Sequence, residues 1–157
     1  QLLKNNKSNI DLSSGDLDGS HTTALKGGEQ VGYQGRKKRK TTNALYLTDR
    51  QGLPIAMSEP VSGNHNDLFD IEVQFEEVIC TLEQAEINVD GLFINADAGL
   101  DSQKLRDKCE GKGIIANICH NRRNGDKDAD HYFDENYIKN DIPLNALTLG
   151  WIVFARF

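Results

Sequence analysis

The chain reads as an α/β domain on a mixed sheet: an antiparallel three-strand meander joined to parallel strands and flanked by helices. Three observations predict this. Strand-like runs separated by turn signals fill the first half. Two short apolar runs in the second half, 91–97 and 113–119, have the make-up of buried parallel strands. Helical periodicity precedes each of those runs. The resulting order, β-β-β-α-β-α-β, demands crossover connections and hence a parallel section.

Taken in order, "NIDLSSGDLDGSHT" carries the first strand, which is expected to end or break near Gly19. "NALYLTD" (43–49) alternates weakly and runs into the turn signal "RQG". "LPIAMSEP" (53–60) returns to complete a hairpin. After "VSGNHND", Leu68, Ile71, Phe75, Val78, Ile79 and Leu82 recur at three- and four-residue steps. That spacing predicts an amphipathic helix over about 66 to 86, capped by Asn64 or Asn66. "GLFINAD" (91–97) follows as a strand, then "DSQKLRDKCEGKG" as a helix. That helix begins at Asp101 or Ser102 and stops at Gly111 or Gly113. "GIIANIC" (113–119) is the last strand, and no internal repeat is visible.

A length of 157 residues fits one domain with a real core, and 38% apolar with 27% charged residues marks a globular chain. No apolar run approaches the ~18 residues needed to span a bilayer, and the N-terminus lacks a signal-peptide pattern. Cys80, Cys109 and Cys119 are odd in number and lack CxxC spacing, which predicts reduced thiols in a cytoplasmic setting. The first residue is Gln1 rather than Met, so a longer parent chain is expected.

Net charge is −6 but unevenly spread. Arg36, Lys37, Lys38, Arg39 and Lys40 form an unbroken basic block, and Arg122 and Arg123 a second, smaller one. Carboxylates concentrate between Asp67 and Glu86 and between Asp126 and Asp141. Local fields matter more than the total for holding a polyanion. The plainer reading of "RKKRK" is a solvated turn.

Functional groups gather at the carboxyl ends of strands in α/β sheets, and Asp97 occupies such an end. If the first strand runs beside that of Asp97, Asp18 lies close to it. Two adjacent carboxylates repel unless a cation or proton separates them, and hard ions such as Mg²⁺ favour such oxygen ligands. The plainer reading of "LDGS" is an Asp-Gly turn.

These residues also carry a resemblance. "LDGSHTTALKGGEQVGYQGRKKRKTTNALYLTDRQGLPIAMSEPVSGNHNDL", followed by "GLFINADAGLDSQKLR", resembles bacterial insertion-sequence transposases of the DDE class over about Asp16 to Asn140. The resemblance implies a ribonuclease-H-like catalytic core at 1–140. It implies that Asp18 and Asp97 are the first two catalytic aspartates and bind Mg²⁺ (or Mn²⁺), while Asp101 of the following Asp-Ser pair caps the helix. His65 and Asp67, in Gly63-Asn64-His65-Asn66-Asp67, support the site or its loop. Arg36 to Lys40, with Arg122 and Arg123, become contacts to DNA phosphates. The implied partners are insertion-sequence ends and target DNA, with a homodimer in the intact family, in the nucleoid-associated bacterial cytoplasm.

The family's third acid is a glutamate in a helix beginning "ERTNAW", just after a stretch that "YFDENYIKN" (132–140) matches. Here "DIPLNALTLGWIVFARF" follows instead, with no glutamate. Restoring one lost base after the Asn140 codon permits Arg-Tyr-Pro-Leu-Glu-Arg-Thr-Asn-Ala-Trp-Met-Asp-Ser-Phe-Arg. The glutamate then falls at the junction of Leu144 and Asn145. Residues 141–157 are therefore read as an out-of-frame tail, against the plainer reading of a final core strand. Two carboxylates in place of three predict little or no catalysis. The alternatives are a non-catalytic DNA-binding remnant, or a metal-dependent nuclease drawing a third ligand from Asp126, Asp128 or Asp130.

Overall fold

The computed structural model describes residues 2–24, 28, 30–124 and 132–135. A short helix, α1 (Leu2–Asn5), leads into β1 (Gly15–Thr23), β2 (Gly32–Gln34), β3 (Arg39–Asp49), β4 (Pro54–Met57) and β5 (Val61–Ser62). Helix α2 (Ile71–Gln84), β6 (Phe93–Ala96), α3 (Gln103–Gly111) and β7 (Ile115–Ile118) complete the order. The protein is thus α/β, with one mixed sheet flanked by helices.

Strand β1 is paired on both edges in opposite senses. It runs antiparallel to β3 without interruption from Gly15↔Asp49 to Thr23↔Thr41. Its other edge is parallel to β6 through Gly15↔Ile94, Asp16↔Asn95 and Leu17↔Ala96, and β6 in turn is parallel to β7. The far edge of β3 is shared along its length by β2, β5 and β4. The expected three-strand meander is therefore wider than the sequence suggests, because two short strands, β2 and β5, join the same edge.

Strand alternation sorts the side chains onto two faces. Leu17, Leu45, Leu47, Ile94 and Ala96 share one face and are buried. Helix α2 lies across β3 and β4 on that side, and its Ile71, Phe75, Val78, Ile79 and Leu82 are almost fully enclosed. Their spacing of three and four residues makes one continuous apolar stripe. Helix α3 packs on α2 and β7 through Leu105 and Cys109. The other face carries Asp16, Asp18, Tyr46, Thr48, Asn95 and Asn117, as the pairings Asp18↔Tyr46, Asp16↔Asn95 and Asn95↔Asn117 require.

Three expectations shift. The first strand does not break at Gly19, since Gly19↔Leu45 belongs to an unbroken ladder. The helix expected from about 66 begins only at Ile71, because 66–70 form turns ending at Asp70 with φ 47°. Neither Asn64 nor Asn66 caps it. Instead the Gln74 side chain turns back and donates to the Phe69 carbonyl at 2.6 Å. At the hairpin bend, Asp49 replaces missing backbone partners: its Oδ1 accepts from the N–H groups of Gln51 and Leu53, and its Oδ2 from Asp11. Phe75 is the largest side chain at the centre of this core and has no exposed surface. Phe75→Ala is expected to lower the unfolding free energy by about 3–5 kcal/mol in urea denaturation. A loss below about 1 kcal/mol would place the core elsewhere.

Candidate functional site

The register of β1 and β6 brings two distant aspartates together. One step beyond Leu17↔Ala96, where the ladder ends, Asp18 faces Asp97, the first residue after β6, close enough for the two charges to interact. Asp97 is exposed, and its Oδ1 accepts from the Gly99 backbone N–H at 2.8 Å, which starts a 3₁₀ turn, Ala98–Leu100. Asp18 is half-buried. Burial, reinforced by the charges of Asp97 and Asp67, pushes its carboxyl up to about 6, against the opposing pull of the Gly19 backbone and Lys37. Two like charges held this close favour a proton or a cation between them.

A second cluster lies behind the first. Gly19 and His21 point to the opposite face of β1 from Asp18. The Asp67 carboxylate packs so tightly on Gly19 that a Cβ there would sit 2.8 Å from its carboxyl carbon. Glycine in this strand serves close approach rather than a turn. Asp67 Oδ1 accepts from Asn43 Nδ2 at 3.0 Å and lies 3.5 Å from His21 Nε2. Burial lowers the pKa of His21, helped by Lys37 and Arg36 and opposed by Asp67. His21 therefore stays uncharged near neutral pH. His65 stacks its ring on Phe69 with centroids 3.6 Å apart, which stiffens the loop that delivers Asp67.

The basic block spans the β2–β3 turn and the start of β3, and Arg36 to Lys40 are all exposed. Lys37 Nζ reaches the His21 carbonyl at 3.4 Å, and Arg39 Nη1 lies 3.5 Å from Thr23 Oγ1. The block is thus anchored along the end of β1, within electrostatic reach of Asp18. Arg122 and Arg123 are exposed on a 3₁₀ turn after β7, at the carboxyl edge of the parallel strands.

Asp101 does not cap α3. Ser102 does, accepting from the Leu105 N–H at 3.3 Å. Asp101 is buried against Arg106, with Oδ1 2.7 Å from Nη2, and its Oδ2 accepts from the Asn121 N–H at 2.7 Å. Burial alone would raise its pKa, but Asn121, Arg106 and His120 outweigh it and hold the carboxyl below its usual value. Because Arg106 Nη2 also donates to the Ile118 carbonyl, the pair ties α3 to the end of β7.

The sequence reading missed three residues on the aspartate face. Asn95 Nδ2 donates to Asp16 Oδ1 at 2.9 Å, and Asn117 Nδ2 donates to Asn95 Oδ1 at 2.8 Å. Asn117 then grips the backbone of Asp134 twice, accepting from its N–H at 2.7 Å and donating to its carbonyl at 3.1 Å. This ladder crosses three strands and holds the 132–135 segment against the sheet. An asparagine inside each apolar strand, "FINA" and "IANI", was the available signal.

Among the described residues, no group of three or more His, Cys, Asp and Glu is arranged to hold a metal ion. Asp126, Asp128, Asp130 and residues 141–157 lie outside the described residues. Among the described residues, no helix is long and apolar enough to cross a membrane. Comparison with protein-family models, with curated proteins and with solved structures returned no match.

The pKa of Asp18 gives a signed prediction. A carboxyl raised in the folded state contributes stability that is complete below 3.8 and lost as pH rises through about 6. Asp18→Asn is therefore expected to be more stable than the parent by about 2 kcal/mol at pH 7.5 in chelator-containing buffer. The advantage should fade toward pH 4. Denaturation curves at both pH values check this, and a pH-independent difference would remove Asp18 from the repulsive pair.

Proposed function

We propose that the chain is the acid-bearing core of a DDE-class transposase of bacterial insertion-sequence type, ribonuclease-H-like in fold, and that it is catalytically incomplete. The observation that carries this reading is the juxtaposition of Asp18, on β1, and Asp97, the residue that follows the adjacent parallel strand β6, although the two are distant in sequence. The resemblance assigns its first two acids to these same positions. The sheet supports it too, with a meander on one edge of β1 and parallel strands on the other.

The donor set suits Mg²⁺ or Mn²⁺, since both groups are hard carboxylate oxygens and their repulsion is what a divalent cation relieves. Asp18 and Asp97 would hold such an ion, which when bound supplies activation of a water or 3′-hydroxyl and neutralisation of charge at a phosphodiester. The chain's own contribution is positional. Asp67, Asn43 and His21 brace β1 at Gly19, next to Asp18. The cations from Arg36 to Lys40, with Arg122 and Arg123, attract phosphates without regard to sequence. On this reading DNA is the partner.

Two acids in place of three leave binding without efficient cleavage. Mn²⁺ titration is expected to show weak binding by the parent and a loss of at least about ten-fold in Asp97→Ala, with no plasmid nicking by either protein. Unchanged affinity in the variant removes the proposed site, and nicking by the parent refutes incompleteness.

The absence of the third acid is assigned to a lost base after the Asn140 codon. The gene should then reopen, on insertion of a single base there, into the Leu-Glu-Arg-Thr-Asn-Ala-Trp continuation. A gene in which no such insertion restores that motif rules the assignment out.

A further inference from the structure

The basic hairpin carries an aromatic ring that neither the core nor the aspartate pair uses. Tyr33 is 61% exposed and pairs across the hairpin with Lys40. Counting along β3, Lys40 lies on the same face as Tyr46, which pairs with Asp18. Tyr33 therefore stands on the aspartate face, with Lys40 beside it. Six strand steps separate Lys40 from Tyr46, a run of about 20 Å.

The turn next to Tyr33 is built for charge rather than comfort. Lys38 has φ 50°, in the left-handed region where glycine or asparagine fits best, and the chain carries a cation there instead. A backbone outlier of this kind motivates a functional reading of the turn that carries it. Five exposed cations attract a polyanion, but charge alone does not distinguish one nucleic acid from another. A free aromatic face does. It stacks on bases whose own faces are open, and duplex DNA covers those faces with its neighbouring pairs.

We propose that Tyr33 is a base-stacking residue, and that with Arg36 to Lys40 it binds a nucleic-acid strand whose bases are unpaired and leads it along β1 and β3 toward Asp18 and Asp97. This rests on the reading of the chain as a DNA-acting core and adds the class of substrate: a frayed or single-stranded end. The cations hold the phosphates, and Tyr33 supplies the preference for open bases.

The test is fluorescence anisotropy of the full chain with a single-stranded oligothymidine and with a blunt duplex of equal length, at low and moderate salt. Tyr33→Leu is expected to weaken single-strand binding about ten-fold while leaving duplex binding unchanged. Tyr33→Phe, which keeps the ring, is expected to bind the single strand as the parent does. Because Tyr33 is exposed, both variants should keep the parent's thermal unfolding curve. Equal weakening on both nucleic acids, or none on either, overturns stacking while leaving salt-sensitive DNA binding in place. A parent that binds neither nucleic acid in a salt-sensitive way overturns both stacking and the DNA reading.

Discussion

The opposite pairing of the two edges of β1 is the constraint on which the rest of this fold hangs. An antiparallel neighbour such as β3 can be reached without crossing the sheet, but a parallel neighbour must be reached by a crossover. That crossover is α2, and its apolar stripe has to cover the sheet face it passes over. One face thereby becomes core and the other is left polar. The parallel edge fixes which residues of β1 and β6 meet, and so the position of Asp18 relative to Asp97 follows from the connection and not from any attraction between them. The two groups repel.

The fold tolerates that repulsion because β1 is paired along both edges and its Leu17 is anchored in the core. The sheet nevertheless carries a cost. Ser14, Thr41, Asn43, His21 and Thr48 each hold a buried side-chain atom with no hydrogen-bond partner. Three of these, His21, Thr41 and Asn43, lie near the loop that delivers Asp67. Unpaired buried polar atoms weaken a fold, and a strand pair made for stability alone would carry apolar residues there. Together with the raised Asp18, they make the end of β1 near the basic hairpin the least comfortable part of the sheet.

The α/β class was legible because helix and strand periods separate cleanly around Ile71 to Leu82 and in the two apolar runs. The pairing of Asp18 with Asp97 was legible through the rule that active groups collect at the carboxyl ends of strands, and through the resemblance that names both residues. Gly19 misled, because an Asp-Gly pair signals a turn locally while its real role is to admit Asp67 from across the sheet. The start of α2 misled for a related reason: Asn64 and Asn66 look like caps, yet the chain still has a turn to make around His65 and Phe69. Asp101 looked like a cap because it precedes Ser102, and nothing local reveals that Arg106 folds back onto it. His21, Asn95 and Asn117 stayed hidden because their partners are distant in sequence.

The grip of Asn117 on Asp134 has a consequence of its own. Braced from behind by Asn95, this amide holds the segment through main-chain N–H and carbonyl groups, and that contact is blind to the segment's side chains. Whatever sequence occupies this segment is delivered to the same place on the sheet, provided a peptide bond is there to hold. Such an anchor imposes position without imposing identity. The sheet up to Asn117 and the segment at Asp134 are thereby joined without reference to the side chains that come after them.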